Sequence, residues 1–129
     1  MPEGPKVRAL VVDDAGLVRA YYRDILERHN YQVDEALNGL EAMEKLLQDR
    51  FDFVIVDVNM PQMDGISFLK VLRRQSLPLA SIPAIVISTE AEAHDSAGAR
   101  AAGANHYLVK PLREDGLVQY AALLSGRPA

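Results

Sequence analysis

Acidic, hydroxyl and amino side chains follow several of the short apolar runs of this chain. Asp57 ends the run that begins at Phe53, and Asp13 and Asp14 follow a run that ends at Val12. The remaining polar residues at the ends of such runs are Ser88, Thr89 and Lys110. Carboxylates are ligands for hard divalent cations, and an ammonium group pairs with phosphate. Brought together, these residue types predict a magnesium site that also handles phosphate.

Three neighbouring carboxylates require a positively charged partner. Two unit charges about 4 Å apart repel by roughly 4 kcal/mol at an effective dielectric constant near 20. Asp13, Asp14 and Asp57 therefore predict a bound cation, with Mg²⁺ as the expected ion and Mn²⁺ as an alternative. No histidine lies at these positions, which disfavours zinc. A surface salt-bridge cluster is the ordinary alternative, but surface pairs rarely need residues from four strands.

The elements that must position these residues alternate between apolar runs and amphipathic segments. We predict five strands, at 7–12, 32–36, 53–57, 84–88 and 107–109, each followed by a helix. This alternation predicts an α/β fold with a doubly wound, five-stranded parallel sheet, a flavodoxin-like (βα)5 arrangement in the order 2-1-3-4-5. In that order the carboxyl ends of strands 1, 3, 4 and 5 lie side by side, together with their polar residues.

The spacing of apolar residues predicts which face of each helix is buried. In the first helix the apolar face comprises Val18, Tyr21, Tyr22, Ile25 and Leu26, and the opposite face Arg19, Arg23 and Glu27. In the second, Asn38 is the expected N-cap, Glu41 completes a capping-box-like pattern, and the apolar stripe comprises Leu40, Met43, Leu46 and Leu47. The third begins at Asp64, with Lys70, Arg73 and Arg74 in solvent. The fourth covers 95–102, and Leu117, Ala121 and Leu124 share one face of the fifth.

Composition bounds the class of protein. With 129 residues, 49% of them hydrophobic, the chain suits a single domain, which we expect at 7–125 between tails at 1–6 and 126–129. A formal charge of −4 disfavours nucleic-acid binding. There are no cysteines, and we find no secretory signal and no run long enough to span a bilayer. We therefore expect a cytoplasmic protein that binds neither nucleic acid nor membrane.

The polar residues at the strand ends resemble those of the response-regulator receiver domains of two-component signalling. The match consists of Asp13-Asp14, Asp57, Ser88 and Lys110-Pro111, together with Met60-Pro61 and Asp64-Gly65, which are similar to the family's M-P-x-x-D-G loop. It extends over almost the whole chain, and single-domain, chemotaxis-type receivers are the most similar. The same sheet topology binds FMN in flavodoxins, but Asp13 and Asp14 would repel that phosphate.

The resemblance implies a role for each of these residues. Asp57 would accept a phosphoryl group from a histidine kinase or a phosphotransfer protein. Mg²⁺ would be bound by Asp13, Asp14, Asp57 and the backbone carbonyl of Asn59. Lys110 would stabilise the phosphoryl oxygens, and Ser88 would donate a hydrogen bond to them. An Asp-nucleophile phosphatase is the alternative, but such enzymes usually carry a second acid where this chain has Asn59.

Further positions are assigned by the same resemblance. Tyr107 would act as a rotamer switch, although the sequence alone favours an ordinary half-buried strand tyrosine. Thr89 departs from the family, in which a small alanine is frequent at this position, so it would narrow access to the phosphoryl group or replace Ser88 as the donor. Asn59 and Glu90 would tune hydrolysis of the acyl phosphate, and the Lys110-Pro111 bond would be cis.

The implied protein is a phosphoacceptor switch and not an enzyme acting on other substrates. Because the sequence given ends after the fifth helix, we expect a separate output protein that docks on the fourth helix, fifth strand and fifth helix. We expect a monomer or a weak dimer. The alternative is a scaffold that works without phosphorylation, which would not require the acidic site.

Overall fold

A computed structural model of the chain describes residues 6–89, 96–110 and 112–126. The strands are β1 (Arg8–Val12), β2 (Gln32–Ala36), β3 (Phe53–Asp57), β4 (Ala84–Ser88) and β5 (His106–Val109). The helices are α1 (Gly16–Arg28), α2 (Gly39–Gln48), α3 (Gly65–Arg73), α4 (Ser96–Ala102) and α5 (Glu114–Ser125). The predicted alternation of strands and helices is confirmed.

The five strands form one parallel sheet in the order β2-β1-β3-β4-β5, as predicted. β3 and β4 are buried along their whole length because helices cover both faces of the sheet. The registers place Val12 beside Val56, Asp57 beside Ile87 and Ser88 beside Val109. The last residues of the neighbouring strands thus reach the same edge of the sheet.

Two apolar layers hold the helices against the sheet. On one face, Tyr22 and Ile25 of α1 and Leu117 of α5 pack with Phe53 of β3. On the other face, residues of α2, α3 and α4 pack with the alternate side chains of β1, β3 and β4. Burying a large apolar side chain contributes about 1.5–3 kcal/mol, so both layers contribute to fixing the strand ends.

Two helices begin where side-chain caps were predicted. The Asn38 side chain accepts a hydrogen bond from the Glu41 amide at 2.9 Å, and Asp64 accepts one from the Ser67 amide at 2.7 Å. The Glu41 carboxylate accepts from the amide of Leu37, one residue before the N-cap, so the pattern differs from a standard capping box. These caps fix the starts of α2 and α3 close to the edge that carries the polar residues.

The predicted inner face of α2 is partly wrong. Leu40 and Leu47 are exposed, whereas Ala42 is fully buried beside Met43 and Leu46. The helix therefore turns Ala42, Met43 and Leu46 toward the apolar layer on this face of the sheet. Tyr21 of α1 was also expected to be buried, but it is half exposed and its hydroxyl donates to the carbonyl of Leu112.

Arg73 was expected in solvent and is instead partly buried. Its guanidinium donates to the carbonyl oxygens of Gly103, Ala80 and Ile82, so it joins the end of α3 to two loops. Burial lowers the pKa of Arg73 because the buried guanidinium loses part of its hydration.

Several predictions fall on residues outside those described, namely Asp95 at the start of the fourth helix, the Lys110-Pro111 bond, Glu90, and most of both tails. The division into a domain at 7–125 with short tails therefore stays a prediction. In the described ranges, none of the helices has the length and apolar character needed to cross a bilayer.

Candidate functional site

Three carboxylates meet at the carboxyl edge of the sheet. Asp13 and Asp14 follow β1, and Asp57 ends β3. Each offers one oxygen, and these three oxygens all lie within 4.8 Å of one another. Asp13 and Asp57 are buried, at 2% and 6% exposure, while Asp14 faces solvent. The prediction that the fold brings these acids together is confirmed.

Lys110, directly after β5, brings a positive charge to the same edge. Its Nζ lies 3.2 Å from an oxygen of Asp57 and 3.5 Å from an oxygen of Asp13. Its backbone amide donates to the carbonyl of Ser88 at 2.7 Å, which ties the ends of β5 and β4 together. One ammonium thus pairs with two of the three acids, and the cluster carries an excess of negative charge.

The pKa values reflect this excess. Burial raises the pKa of Asp57, the negative charge of Asp13 adds to that effect, and although Lys110 opposes both, the result is about 6. Burial by itself lowers the pKa of Lys110, but the charges of Asp57 and Asp13 outweigh it and hold that pKa above its ordinary value. At neutral pH, Asp57 is therefore mostly ionised, although its environment disfavours the charge.

Asp13 also shapes the turn between β1 and α1. Its side chain accepts a hydrogen bond from the amide of Ala15 at 2.9 Å, and its own amide donates to the carbonyl of Ala36. Ala15 is the N-cap of α1 and has no capping side chain. Within the described residues, the Asp14 carboxylate forms neither a hydrogen bond nor an ion pair. Its oxygens are thus available to a cation.

The hydroxyl residues lie at the end of β4. Ser88 is buried, and its hydroxyl donates to the carbonyl of Thr89 at 2.8 Å, while Thr89 is exposed. Tyr107, in β5, is half-buried and packs against the apolar layer under α2, α3 and α4. Their roles as donor and as switch stay predictions.

The loop after Asp57 closes tightly over the strand end. Asn59 is exposed in this loop, two residues after Asp57. The amide of Gly65 donates to the carbonyl of Val58, and a Cβ atom on Gly65 would lie only 2.3 Å from the carbonyl oxygen of Asp57. Only glycine allows this approach, which accounts for the Asp64-Gly65 pair as a local requirement of the loop.

One residue near the site was misassigned from the sequence. Arg19 was expected on the solvent face of α1, but its side chain is only 14% exposed and donates to the carbonyl of Asp13 at 2.6 Å. The only local signal for this contact is a cation five residues after Asp14, and the helical pattern alone assigns such a residue to the surface.

The donor set fits a hard divalent cation. Three carboxylate oxygens at mutual ligand distance are the groups that Mg²⁺ prefers, and neither sulfur nor imidazole lies among them. Asp14, Asp13 and Asp57 are the residues that would hold it. The single ammonium of Lys110 does not neutralise the three acids, so a dication would restore the charge balance.

Comparisons with known proteins agree with this geometry. The family model of the response regulator receiver domain matches residues 9–122. The chemotaxis protein CheY4 of Vibrio cholerae has the same fold, with a TM-score of 0.86 and 33% identity over 93% of this chain and 99% of that one. A putative response regulator from Chloroflexus aurantiacus aligns with a TM-score of 0.88 and 28% identity, over 95% and 100% of the two chains.

Longer relatives contain a similar region. The transcriptional regulatory protein ResD of Bacillus subtilis is 35% identical over 111 residues, which is 86% of this chain and 45% of that protein. A protein-glutamate methylesterase/protein-glutamine glutaminase of Archaeoglobus fulgidus is 38% identical over 107 residues, which is 81% of this chain and 30% of that protein. The chain thus spans less than half the length of these curated relatives.

A parallel sheet in this order, with acids and a lysine at its carboxyl edge, defines an α/β signalling domain of the receiver class. The chain belongs to the response regulator receiver domain family of two-component signalling. The resemblance inferred from the strand-end residues is confirmed.

Proposed function

We propose that this chain is a phosphorylation switch that accepts a phosphoryl group on Asp57 from a histidine kinase or a phosphotransfer protein. The observation that carries the proposal is the convergence of three carboxylates and Lys110 at one edge of the sheet. Membership of the receiver family supports the same function.

In this proposal Asp13, Asp14, Asp57 and the backbone carbonyl of Asn59 bind Mg²⁺. The ion, when bound, neutralises the negative charge of the acids and of the incoming phosphoryl oxygens. Asp13 is held by the Ala15 amide and Asp57 by the end of β3, so two of the ligands are already fixed before any ion binds. Such preorganisation reduces the cost of assembling the site.

Asp57 acts as the nucleophile. One of its carboxylate oxygens forms a bond to phosphorus while the phosphorus–nitrogen bond of a phosphohistidine breaks, and the released imidazole takes up a proton. Because the pKa of Asp57 is about 6, the carboxylate form predominates at neutral pH. Lys110, 3.2 Å from Asp57, is placed to pair with the transferred phosphoryl oxygens.

The conformational response to the phosphoryl group would involve Ser88, Thr89 and Tyr107. The Ser88 hydroxyl donates to the carbonyl of Thr89, so it must rotate to reach a phosphoryl oxygen. That rotation would move the end of β4, and Tyr107 would then turn inward. Thr89 would limit access, while Asn59 and Glu90 would set how fast water hydrolyses the acyl phosphate.

The output in this proposal is binding of a partner protein to the face formed by α4, β5 and α5. That face adjoins Lys110, whose backbone is bonded to the end of β4. The switch would operate in the cytoplasm as a monomer or a weak dimer, in a chemotaxis-like pathway or a phosphorelay.

A mass measurement tests the phosphoacceptor. The protein is mixed with Mg²⁺ and a small acyl-phosphate donor, and we expect the intact mass to increase by one phosphoryl group. Asp57→Asn should abolish the increase, and so should a chelator. Asp24→Asn, which changes an exposed acid on α1, is the matched control and should behave as wild type. An increase that survives in Asp57→Asn would refute the assignment.

A further inference from the structure

Arg19 connects the first acidic turn to the neighbouring strand. One terminal nitrogen donates to the backbone carbonyl of Asp13 at 2.6 Å, and its Nε donates to the Glu35 carboxylate of β2 at 2.9 Å. The side chain is only 14% exposed, so these contacts are largely shielded from water. A planar guanidinium can hold both acceptors at once, which a lysine cannot do in the same way.

The far end of this link is itself well fixed. Glu35 also accepts from Arg23 at 2.9 Å, and its backbone carbonyl accepts from the ammonium of Lys45. Hydrogen bonds from Arg23 and then Arg19 outweigh burial and hold the pKa of Glu35 below its ordinary value. Glu35 is therefore a charged anchor on the sheet, and Arg19 transmits its fixed position to the carbonyl of Asp13.

The carbonyl of Asp13 belongs to the peptide that joins Asp13 to Asp14. Fixing that carbonyl sets the orientation of this peptide, and with it the direction in which the Asp14 side chain leaves the backbone. Asp14 needs such a restraint because its carboxylate has no hydrogen-bond or ion-pair partner in the described part of the chain. The turn also lacks a capping side chain, since Ala15 stands at the N-cap of α1.

We propose that Arg19 is a positioning residue for the magnesium site. Anchored to Glu35, Arg19 orients the Asp13–Asp14 peptide through its hydrogen bond to the carbonyl of Asp13. This inference rests on the proposed function because it assumes that the three acids bind Mg²⁺. Arg19 binds neither the ion nor the phosphoryl group and acts through the backbone that carries two of the ligands.

Positioning and charge predict opposite results for this residue. A nearby cation repels Mg²⁺, so removal of the Arg19 charge alone should strengthen binding. Removal of the restraint should weaken binding, because the two ligand carboxylates would no longer be held in place. Arg23 provides the comparison: it pairs with the same Glu35 but does not contact Asp13.

The experiment measures the Mg²⁺ dissociation constant by isothermal titration calorimetry for wild type, Arg19→Met, Arg19→Lys and Arg23→Met. We expect Arg19→Met to weaken binding about tenfold or more, in the range observed when partners that orient metal ligands are removed. Arg19→Lys should also weaken it, although the charge is kept. Arg23→Met leaves Glu35 held by Arg19 and Lys45, so it should weaken Mg²⁺ binding much less than Arg19→Met does.

A second measurement distinguishes a positioning role of Arg19 from a general loss of activity in the variants. With an acyl-phosphate donor, the phosphorylation rate of Arg19→Lys should return to the wild-type rate at saturating Mg²⁺. Unchanged or tighter Mg²⁺ binding in both Arg19 variants overturns the inference, and so does a rate that stays low at saturating Mg²⁺. Should Arg19→Met fail to fold by circular dichroism, the lysine variant decides. If wild type binds no Mg²⁺, the proposed function itself is overturned.

Discussion

Replacement of Asp57 by asparagine should stabilise the metal-free protein at neutral pH. Asp57 is 6% exposed, and burial followed by the charge of Asp13 raises its pKa from 3.8 to about 6. A shift of about two pKa units corresponds to about 3 kcal/mol between the charged and neutral forms. Asparagine has the shape of the neutral acid and avoids that cost. Allowing for relaxation of the loops, we expect a gain of about 1–3 kcal/mol, or roughly 3–10 °C in Tm.

The gain should depend on pH with a definite sign. The native state has the higher pKa, so between about pH 4 and pH 6 it keeps a proton that the unfolded state has lost, and wild-type stability falls as the pH rises. The difference between Asp57→Asn and wild type should therefore be about a third of its full size near pH 4.5 and reach its full size above pH 7.

Urea unfolding in a chelator, followed by circular dichroism from pH 4.5 to 8, measures this difference. Asp24→Asn removes one exposed charge far from the site and should change the free energy of unfolding by less than about 0.5 kcal/mol. Saturating Mg²⁺ should stabilise wild type and narrow the gap, because the ion binds only the folded acids. An Asp57→Asn protein no more stable than wild type above pH 7, or a gap that is independent of pH, would show that burial of the acid is not costly.

Two further substitutions test the surroundings of the site. Gly65→Ala places a Cβ atom 2.3 Å from the carbonyl oxygen of Asp57 and should destabilise the protein by about 2 kcal/mol or more. Gly98→Ala is the control: outside its own helix backbone and chain neighbours, none of the described residues comes within 4 Å of the added Cβ, so it should be neutral or stabilising by up to about 1 kcal/mol. Thermal melts compare the two variants, and equal melting temperatures would contradict the close approach at Gly65. Arg73→Met removes hydrogen bonds to three backbone carbonyls and should lower the free energy of unfolding, measured in urea, by about 2–3 kcal/mol. Arg74→Met, at an exposed position, should lower it by less than about 0.5 kcal/mol. Similar losses of stability in both variants would argue against a structural role of the buried guanidinium.

The strand ends were predictable because their signal is local. The uninterrupted apolar run before Asp57 requires a strand buried on both faces, and a parallel sheet places its end on the same edge as Asp13 and Asp14. This prediction requires no knowledge of contacts between residues that are far apart in the sequence. The caps at Asn38 and Asp64 were equally accessible, because the partner of each is an amide three residues later.

The errors concern contacts made across the fold. Arg73 of α3 reaches Gly103, thirty residues later, and Arg19 of α1 reaches Glu35 on strand β2. A helical pattern assigns such cations to solvent, because periodicity records hydrophobicity and not the carbonyls that a later loop presents. Leu40 was placed inside because the pattern gave more weight to a leucine than to Ala42, but Ala42 is fully buried and Leu40 is exposed.

The hydrogen bond between Lys110 and Ser88 explains how a local change in charge reaches a distant face in the proposed switch. Phosphorylation would replace the single charge of Asp57 by the larger charge of a phosphoryl group, and Lys110, already within 3.5 Å of both Asp13 and Asp57, would follow that charge. The backbone amide of Lys110 is bonded to the carbonyl of Ser88, so its displacement is transmitted to the end of β4. In this switch the side chain of Lys110, after β5, would respond to the phosphoryl group, and its backbone amide would pass the displacement to Ser88 at the end of β4. This connection favours the neighbouring face of α4, β5 and α5 as the output surface.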